Sequence, residues 1–307
     1  MMQCPSLAQP WILWPLKLLT LRQQQKGVAK LGKLIQQRLN QDKHAQHDLY
    51  SIATKQIETQ DIDEAFLKEI WAEAVFFYAA GGDTTATVLS ALFFYLSRDP
   101  DCYQKLAHEI RSTFASSADI QGNALSTCRY LRACIDEALR MSPPVSGTLW
   151  RELPRSEYNN GPFVIDGHVI PPGTQVGVSA YALHHNEDYF PEPFQFRPER
   201  WFEKDRVHLE KMHDAFCPFS IGYRGCAGKA MAYLEAELVM AKTLWYFGFE
   251  KALGKEGETG AGAPGMGSGR ERRGEFQLYD IVSSTHSGPT LLFQTRDEYW
   301  RELEGKH

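Results

Sequence analysis

The segment Phe219–Gly228 contains one cysteine, Cys226, in a run with three glycines among its last seven residues. The glycines favour turns, and Cys226 falls where a helix is predicted to begin. A helix N-terminus offers free N–H groups and the positive end of the helix dipole, which stabilise a thiolate. Arg224, two residues earlier, adds a positive charge. This pattern predicts a thiolate that serves as a metal ligand or a nucleophile.

Three other interpretations of the cysteine loop compete with this one. A buried structural cysteine beside a turn is the ordinary state of most cysteines. A Cys-His protease would need a histidine with its own partners, and the nearby His213 has no obvious set. A phosphate-binding P-loop is excluded, because five residues instead of four separate Gly222 from Gly228-Lys229 and neither serine nor threonine follows.

A glutamate and an arginine, Glu137 and Arg140, lie three residues apart in a predicted helix that ends before Pro143-Pro144. Residues at this spacing share one face of a helix. Such a pair is ordinarily a surface salt bridge that contributes little to stability. Apolar residues at 133–135 and 138–139 flank the pair, which distinguishes it from a fully exposed salt bridge.

An acid and a hydroxyl group, Asp83 and Thr84, follow Gly81-Gly82 inside a long apolar predicted helix. Glycine and threonine both weaken a helix, so a kink or a helix-packing site is one explanation. A buried charge, however, needs a partner or a task. The pattern therefore favours a functional group within this helix.

The cysteine loop resembles the haem-binding signature of the cytochrome P450 family, Phe-x-x-Gly-x-Arg-x-Cys-x-Gly. The five fixed positions of that signature are met by Phe219, Gly222, Arg224, Cys226 and Gly228. The resemblance implies that Cys226 is the axial ligand of a haem b iron and that Arg224 pairs with a haem propionate. It also implies that Phe219 packs beside the thiolate, while the glycines let the loop approach the porphyrin.

Three further segments resemble motifs of the same family, in the same order along the chain. Glu137 and Arg140 resemble its Glu-x-x-Arg pair, and Arg200 the arginine of its Pro-Glu-Arg-Phe stretch, where Trp201 replaces the phenylalanine. The resemblance implies a buried charge network that locks the coil around the haem. This lock would be structural and would take no part in the chemistry.

The third segment concerns oxygen activation, and a single arginine, Arg151, resembles a propionate ligand of the family. The segment 80–85 resembles the family's oxygen-activation motif, so Thr84 is expected to hydrogen-bond the oxygen and Asp83 to relay protons. Arg151 follows the proline pair where the family commonly has a propionate-binding arginine, although a lone arginine is more often simply solvated.

The length, net charge and cysteine pattern of the chain argue against several classes of protein. It has 307 residues and a net charge of −5, and a nucleic-acid binder would usually be basic. Its six cysteines form no Cys-x-x-Cys pair, which argues against a disulfide framework or a zinc ribbon and suits a reducing compartment. His208, His213 and Cys217 fit no common metal spacing, and His184-His185 is interpreted as a packing or surface pair. No metal beyond haem iron is expected.

The predicted architecture is α+β, mainly helical with small β-sheets, as in an N-terminally truncated cytochrome P450 fold. Residues 1–61 are predicted to form lead-in helices, and 62–307 the haem-binding core, with a flexible glycine-rich insertion at 254–274. Predicted helices cover 62–96, with an N-cap at Asp61 or Asp63, and 99–114, 128–141 and 226–247. The first of these is expected to be a long buried helix, because Glu73 and Asp83 make a membrane span costly.

Between the helices the sequence predicts strands and coil. Asp166-Gly167 predicts a hairpin turn, and 186–225 is predicted to be ordered coil. Phe276–Ile281 and Pro289–Phe293 are predicted to pair as a closing hairpin.

The resemblance implies a monooxygenase that inserts one oxygen atom of O2 into an apolar organic substrate, in fungal secondary metabolism. Electrons are expected from NADPH–cytochrome P450 reductase, since the chain shows no flavin- or NADPH-binding motif. Family members reside in the endoplasmic reticulum membrane, but no evident anchor is visible here, which leaves a cytosolic location as the alternative.

The resemblance covers residues 20–295, whereas family members are much longer. The alternative expectation is therefore a truncated, catalytically inactive haem-binding remnant or a gene-model fragment.

Overall fold

The computed structural model describes residues 29–38, 40–42, 45, 51–52, 64–158 and 161–304. The chain divides into two compact units, Met1–Asp83 and Thr84–His307. The N-cap predicted at Asp61 or Asp63 lies outside the described residues, as does most of the predicted lead-in 1–61.

Helices dominate the described residues, and α2, α3 and α5 have bounds near those predicted. They are α1 at 29–38, α2 (Glu64–Leu96), α3 (Pro100–Thr113), α4 (Gly122–Leu125), α5 (Arg129–Met141), α6 (Ala180–His184), α7 (Arg206–Ala215) and α8 (Lys229–Tyr246).

Local chemistry explains where α3 begins and α5 ends. The Asp99 carboxylate caps α3 by accepting a hydrogen bond from the Cys102 N–H at 2.9 Å, and Pro100 occupies the first turn, where its missing N–H costs nothing. Helix α5 ends at Met141 with Ser142 as its C-cap, since Pro143 disfavours helical backbone in the residue before it.

The strands form four separate two-stranded antiparallel sheets, β1–β4, β2–β3, β5–β8 and β6–β7. Their bounds are β1 (Arg151–Glu152), β2 (Phe163–Ile165), β3 (His168–Ile170), β4 (Gln175–Val176), β5 (Phe247–Lys251), β6 (Leu278–Tyr279), β7 (Thr285–His286) and β8 (Leu291–Thr295). The predicted hairpin is confirmed: Asp166 and Gly167, both with positive φ, join β2 to β3, as the twist of a two-residue hairpin requires. The predicted α+β class with small sheets is likewise confirmed.

The predicted closing hairpin is wrong. Strand β6 pairs with β7, and β8 pairs with the distant β5. Aromatic packing accounts for the long-range choice, because the Phe293 ring of β8 lies 5.9 Å from that of Phe249 on β5 and 6.2 Å from that of Phe93 on α2.

Two predictions about coil and helix bounds also fail. The predicted coil 186–225 contains α7, which Asp205 caps through the Val207 N–H at 3.0 Å and whose Met212 packs against Phe190. Helix α8 begins at Lys229, so Cys226 precedes the helix and is not part of its first turn.

Helix α2 is buried over only part of its length. Phe76, Phe77 and Tyr78 are exposed, whereas Val88 and the residues after it enter the core. The prediction of a helix buried throughout is therefore wrong for its first half. Within the residues that the structure describes, no helix is both long and apolar enough to cross a membrane.

The glycine-rich segment 254–274 is partly packed, contrary to the expectation that it lacks a core. Ala261 is buried and pairs with Phe276, whose ring lies 5.0 Å from that of Phe94. Gly257 is buried too, and its carbonyl oxygen accepts a hydrogen bond from Arg98. The flexibility of this segment stays a prediction.

The main core of the second unit is formed by the last turns of α2 together with α3, α5 and α8. Its fully buried side chains include Leu92, Leu106, Leu131, Ile135 and Leu244. In a core packed this closely, loss of even one methyl group lowers the free energy of unfolding. This core holds α5 and α8, the helices beside the predicted site residues.

We expect Leu106→Ala to lower the free energy of unfolding by about 2–5 kcal/mol, because the fully buried side chain would leave a cavity. The matched control is Leu253→Ala, whose side chain is 81% exposed and whose loss should cost less than about 0.5 kcal/mol. Urea unfolding of both variants measures the difference, and equal costs would contradict the core assignment.

Candidate functional site

Glu137 on α5 is a fully buried carboxylate with five hydrogen bonds. Its Oε1 accepts from Arg140 Nη2 at 3.0 Å, from the Arg197 backbone N–H at 3.0 Å and from Arg200 Nε at 2.9 Å. Its Oε2 accepts from Arg140 Nε and from Trp201 Nε1, both at 3.1 Å. The structure therefore brings the three predicted lock residues into one network, which Trp201 joins.

The two arginines use their remaining N–H groups on backbone carbonyls of the neighbouring coil. Arg140 Nη1 donates to the carbonyl oxygens of His184 at 2.9 Å and Pro193 at 2.8 Å, and Arg200 Nη1 donates to that of Pro191 at 2.9 Å. A coil outside helix and sheet must find partners for its buried polar groups. Here the arginine side chains donate to these carbonyl oxygens, and the hydrogen bonds connect this segment to α5.

The network keeps its charges despite being buried. Burial alone would raise the pKa of the Glu137 carboxyl, but the charges of Arg140 and Arg200 and the N–H donors hold it below its ordinary value. Burial lowers the pKa of Arg200, and the Glu137 carboxylate opposes that change. An uncompensated buried charge is costly, so removal of either the carboxylate or a guanidinium group would destabilise the fold.

The cysteine loop is closed by hydrogen bonds within its own backbone. The N–H of Cys226 donates to the Phe219 carbonyl at 2.9 Å, and the N–H of Gly225 donates to the Gly222 carbonyl at 2.9 Å. Gly222 has φ +70°, which favours glycine, and a Cβ on Gly225 would lie 3.1 Å from the Gly222 carbonyl oxygen. These glycines allow the tight path that precedes α8.

The loop leaves its thiol accessible. Cys226 is exposed and free, and Gly228 lies beside it, where an added Cβ would be in ordinary van der Waals contact with the Cys226 Sγ, at 3.8 Å. Phe219 packs against Tyr233 of α8, with ring centroids 5.1 Å apart. The five signature residues therefore lie in one loop that is held by backbone hydrogen bonds and whose cysteine is exposed.

The residues present fit a haem iron. A free thiol on a pinned loop is a donor of the kind that axial thiolate ligation uses. Two large side chains beside Gly222 are exposed, Ile221 by 77% and Tyr223 by 95%, and offer apolar surface that a flat group could cover. Arg224, in the same turn, is exposed and positively charged.

The other predicted site residues lie on β1 and α2. Arg151 on β1 is exposed, and its Nη1 donates to the Trp150 carbonyl at 2.9 Å. On α2, Asp83 is exposed and Thr84 is half-buried, with the boundary between the two compact units falling between them. The helix continues unbroken through Gly81-Gly82, where an added Cβ would meet nothing within 4 Å.

Two contributing residues had no local signal in the sequence. The Trp201 indole N–H donates to Glu137, a contact that its place in the motif does not indicate. For His184 the packing alternative is confirmed, since it is fully buried, and in addition its Nε2 accepts a hydrogen bond from the Cys217 N–H at 3.0 Å. Only the folded chain brings these partners within reach.

Comparison with known proteins agrees with the motif order. A sequence model of a family described as Cytochrome P450 matches residues 4–264. A cytochrome P450 monooxygenase of Gibberella zeae is 38% identical over 282 residues, covering 91% of this chain and 63% of the relative. Cytochrome P450 monooxygenase AKT7 of Alternaria alternata is 38% identical over 271 residues, covering 86% and 51%.

A third relative is covered over more of its length. Cytochrome P450 monooxygenase lcsN of Purpureocillium lilacinum is 33% identical over 275 residues, covering 88% of this chain and 78% of the relative. The chain spans 63% and 51% of the lengths of the relatives from Gibberella zeae and Alternaria alternata.

We expect Glu137→Gln to lower the free energy of unfolding by about 3–5 kcal/mol, because two buried guanidinium groups would lose their counter-charge. The matched control is Glu199→Gln, whose ion pair with Lys105 is exposed and should be worth less than about 1 kcal/mol. Urea unfolding compares the two, and a control as costly as the buried variant would show that burial is not the cause.

We expect Trp201→Phe to lower the free energy of unfolding by about 1.5–3 kcal/mol, because the variant loses a hydrogen bond to a charged group. Trp150→Phe is the control, since its side chain is 47% exposed. Thermal unfolding of both variants measures the effect. If Trp201→Phe were no worse than the control, the bond to Glu137 would contribute nothing.

Proposed function

The chain belongs to the cytochrome P450 family, and on that basis we propose that it is a haem-thiolate monooxygenase that inserts one oxygen atom of O2 into an apolar organic substrate. The observation that carries the proposal is the exposed thiol of Cys226 on a hydrogen-bonded loop. Named relatives from three fungi are monooxygenases, which supports the same class of activity here.

In this proposal the cysteine loop holds haem b. Cys226 would provide the thiolate that ligates the iron, Arg224 and Arg151 would bind the propionates, and Phe219 would pack beside the sulfur. When bound, the thiolate-ligated haem activates O2, because the thiolate supplies electron density that favours O–O cleavage. The buried network around Glu137 keeps the surrounding coil in place and takes no part in the reaction.

Asp83 is proposed to relay protons, and Thr84 is proposed to hydrogen-bond the oxygen. The Thr84 hydroxyl can donate a hydrogen bond, and the Asp83 carboxylate can act in general acid catalysis. Asp83 is exposed and Thr84 is half-buried.

Electrons are proposed to come from NADPH through NADPH–cytochrome P450 reductase, the partner that the family implies. The endoplasmic reticulum membrane is the location that the family implies. A role in fungal secondary metabolism is the biological setting that we propose, supported by the fungal sources of the relatives.

We expect Cys226→Ala to abolish the red-shifted Soret band of the reduced carbon monoxide complex, because no other thiolate would replace the axial ligand. Cys128→Ala is the control: it removes the sulfur of a cysteine buried in the core, away from the cysteine loop, and should retain the band. The measurement is a difference spectrum of the full chain expressed with haem. Persistence of the band in Cys226→Ala would refute the ligand assignment.

Turnover is tested separately with the reductase, NADPH and isotope-labelled O2. Label in an oxidised organic product supports the monooxygenase proposal. A thiolate spectrum without any NADPH-dependent product, over a panel of apolar substrates, would instead indicate an inactive haem-binding chain.

A further inference from the structure

His184, the last residue of α6, is a buried titratable group with no part in the proposed chemistry. None of its surface is exposed. Its backbone carbonyl accepts a hydrogen bond from Arg140 Nη1 at 2.9 Å, and its side-chain Nε2 accepts one from the Cys217 N–H at 3.0 Å. One residue therefore contacts the Glu137 network through its backbone and, through its ring, Cys217, which lies two residues before the cysteine loop.

Backbone hydrogen bonds connect Cys217 to the part of the chain that carries the thiol. The Cys217 carbonyl accepts from the Ser220 N–H at 3.0 Å, and the Phe219 carbonyl accepts from the Cys226 N–H at 2.9 Å. Ser220 has φ +59°, an unusual value for a residue other than glycine, so its turn needs support from neighbouring contacts. The anchored end of the loop is thus linked stepwise to Cys226.

The imidazole is in the state that this bond requires. Burial and the charge of Arg140 lower the pKa of His184 to about 3, so the ring is neutral at physiological pH. Because Nε2 accepts a hydrogen bond, the ring proton resides on Nδ1. Nδ1 is itself buried and has no hydrogen-bond partner among the described residues.

Aromatic packing alone does not explain a histidine here. The ring lies against Phe216, 5.4 Å between centroids, and Phe190, at 6.0 Å. A phenylalanine would fill the same space without leaving a buried N–H unsatisfied, which is costly. A phenylalanine could not, however, accept the hydrogen bond from the Cys217 N–H, as His184 Nε2 does.

We propose that His184 is a positioning residue that couples the buried Glu137 network to the cysteine loop by holding the Cys217 backbone. That the loop's position matters for axial ligation rests on the function proposed above. The coupling itself is a property of the protein without haem. It gives the exposed thiol of Cys226 a fixed place before any ligand binds.

The test compares His184→Phe, which keeps the aromatic volume and removes the acceptor, with His184→Gln, whose Oε1 can take the place of Nε2. Amide hydrogen exchange of the full chain without haem is followed by mass spectrometry. We expect His184→Phe to speed exchange in 217–226 on the order of tenfold, the factor for one typical hydrogen bond. His184→Gln should restore most of the protection.

Two controls separate positioning from general stability. Exchange in the β5 segment 247–251 should stay at the wild-type rate in both variants. The substitution His185→Phe, one residue later, should leave 217–226 protected, because His185 Nδ1 pairs with the Tyr181 carbonyl and not with the loop. If His184→Phe does not fold, His184→Met takes its place against His184→Gln.

The second readout is the fraction of thiolate-ligated haem in the reduced carbon monoxide spectrum. It should fall in His184→Phe and recover in His184→Gln. Equal exchange in wild type and His184→Phe, or no rescue by glutamine, would overturn the inference. A wild-type chain without any thiolate band would refute the proposed function, while the exchange result would still decide the role of His184.

Discussion

The buried carboxylate of Glu137 is the constraint on which the order of the surrounding coil depends. Transfer of a carboxylate from water into a protein core is costly, and only a full set of donors offsets the cost. Five N–H groups from two elements meet that need. Three of them come from Arg197 and the short 3-10 helix Pro198–Phe202 that follows it, so the position of this segment depends on satisfying this one group.

The cysteine loop shows the same principle on a smaller scale. Its backbone closes on itself through short-range hydrogen bonds that glycine makes possible, and Phe219 packs it onto α8. His184 then joins this closed unit to the network through one side-chain acceptor. A thiol can be exposed and still precisely placed when the backbone around it is held from several sides. Such placement before ligand binding reduces the ordering cost that binding would otherwise carry.

Much of the local structure was predictable because its causes are local. Asp99-Pro100 marks the start of α3 and Pro143 the end of α5, since capping and proline sterics act within a few residues. Asp166-Gly167 specified the β2–β3 turn for the same reason. The motif spacings likewise identified Glu137 and Arg140, which share a helix face, and the five signature residues of one loop, and these matches led to the family.

The sequence by itself thus determined the family, the α+β class and the local motifs, whereas the tertiary structure decided which distant groups meet. Trp201 and Glu137 are 64 residues apart and His184 and Arg140 are 44 apart, so neither bond leaves a local pattern. Strand β8 pairs with the distant β5, where the Phe293 ring contacts the buried Phe249, and not with the strand nearer in sequence. The physical reason is common to all three: burial and long-range hydrogen bonding depend on which surfaces the folded chain excludes from water.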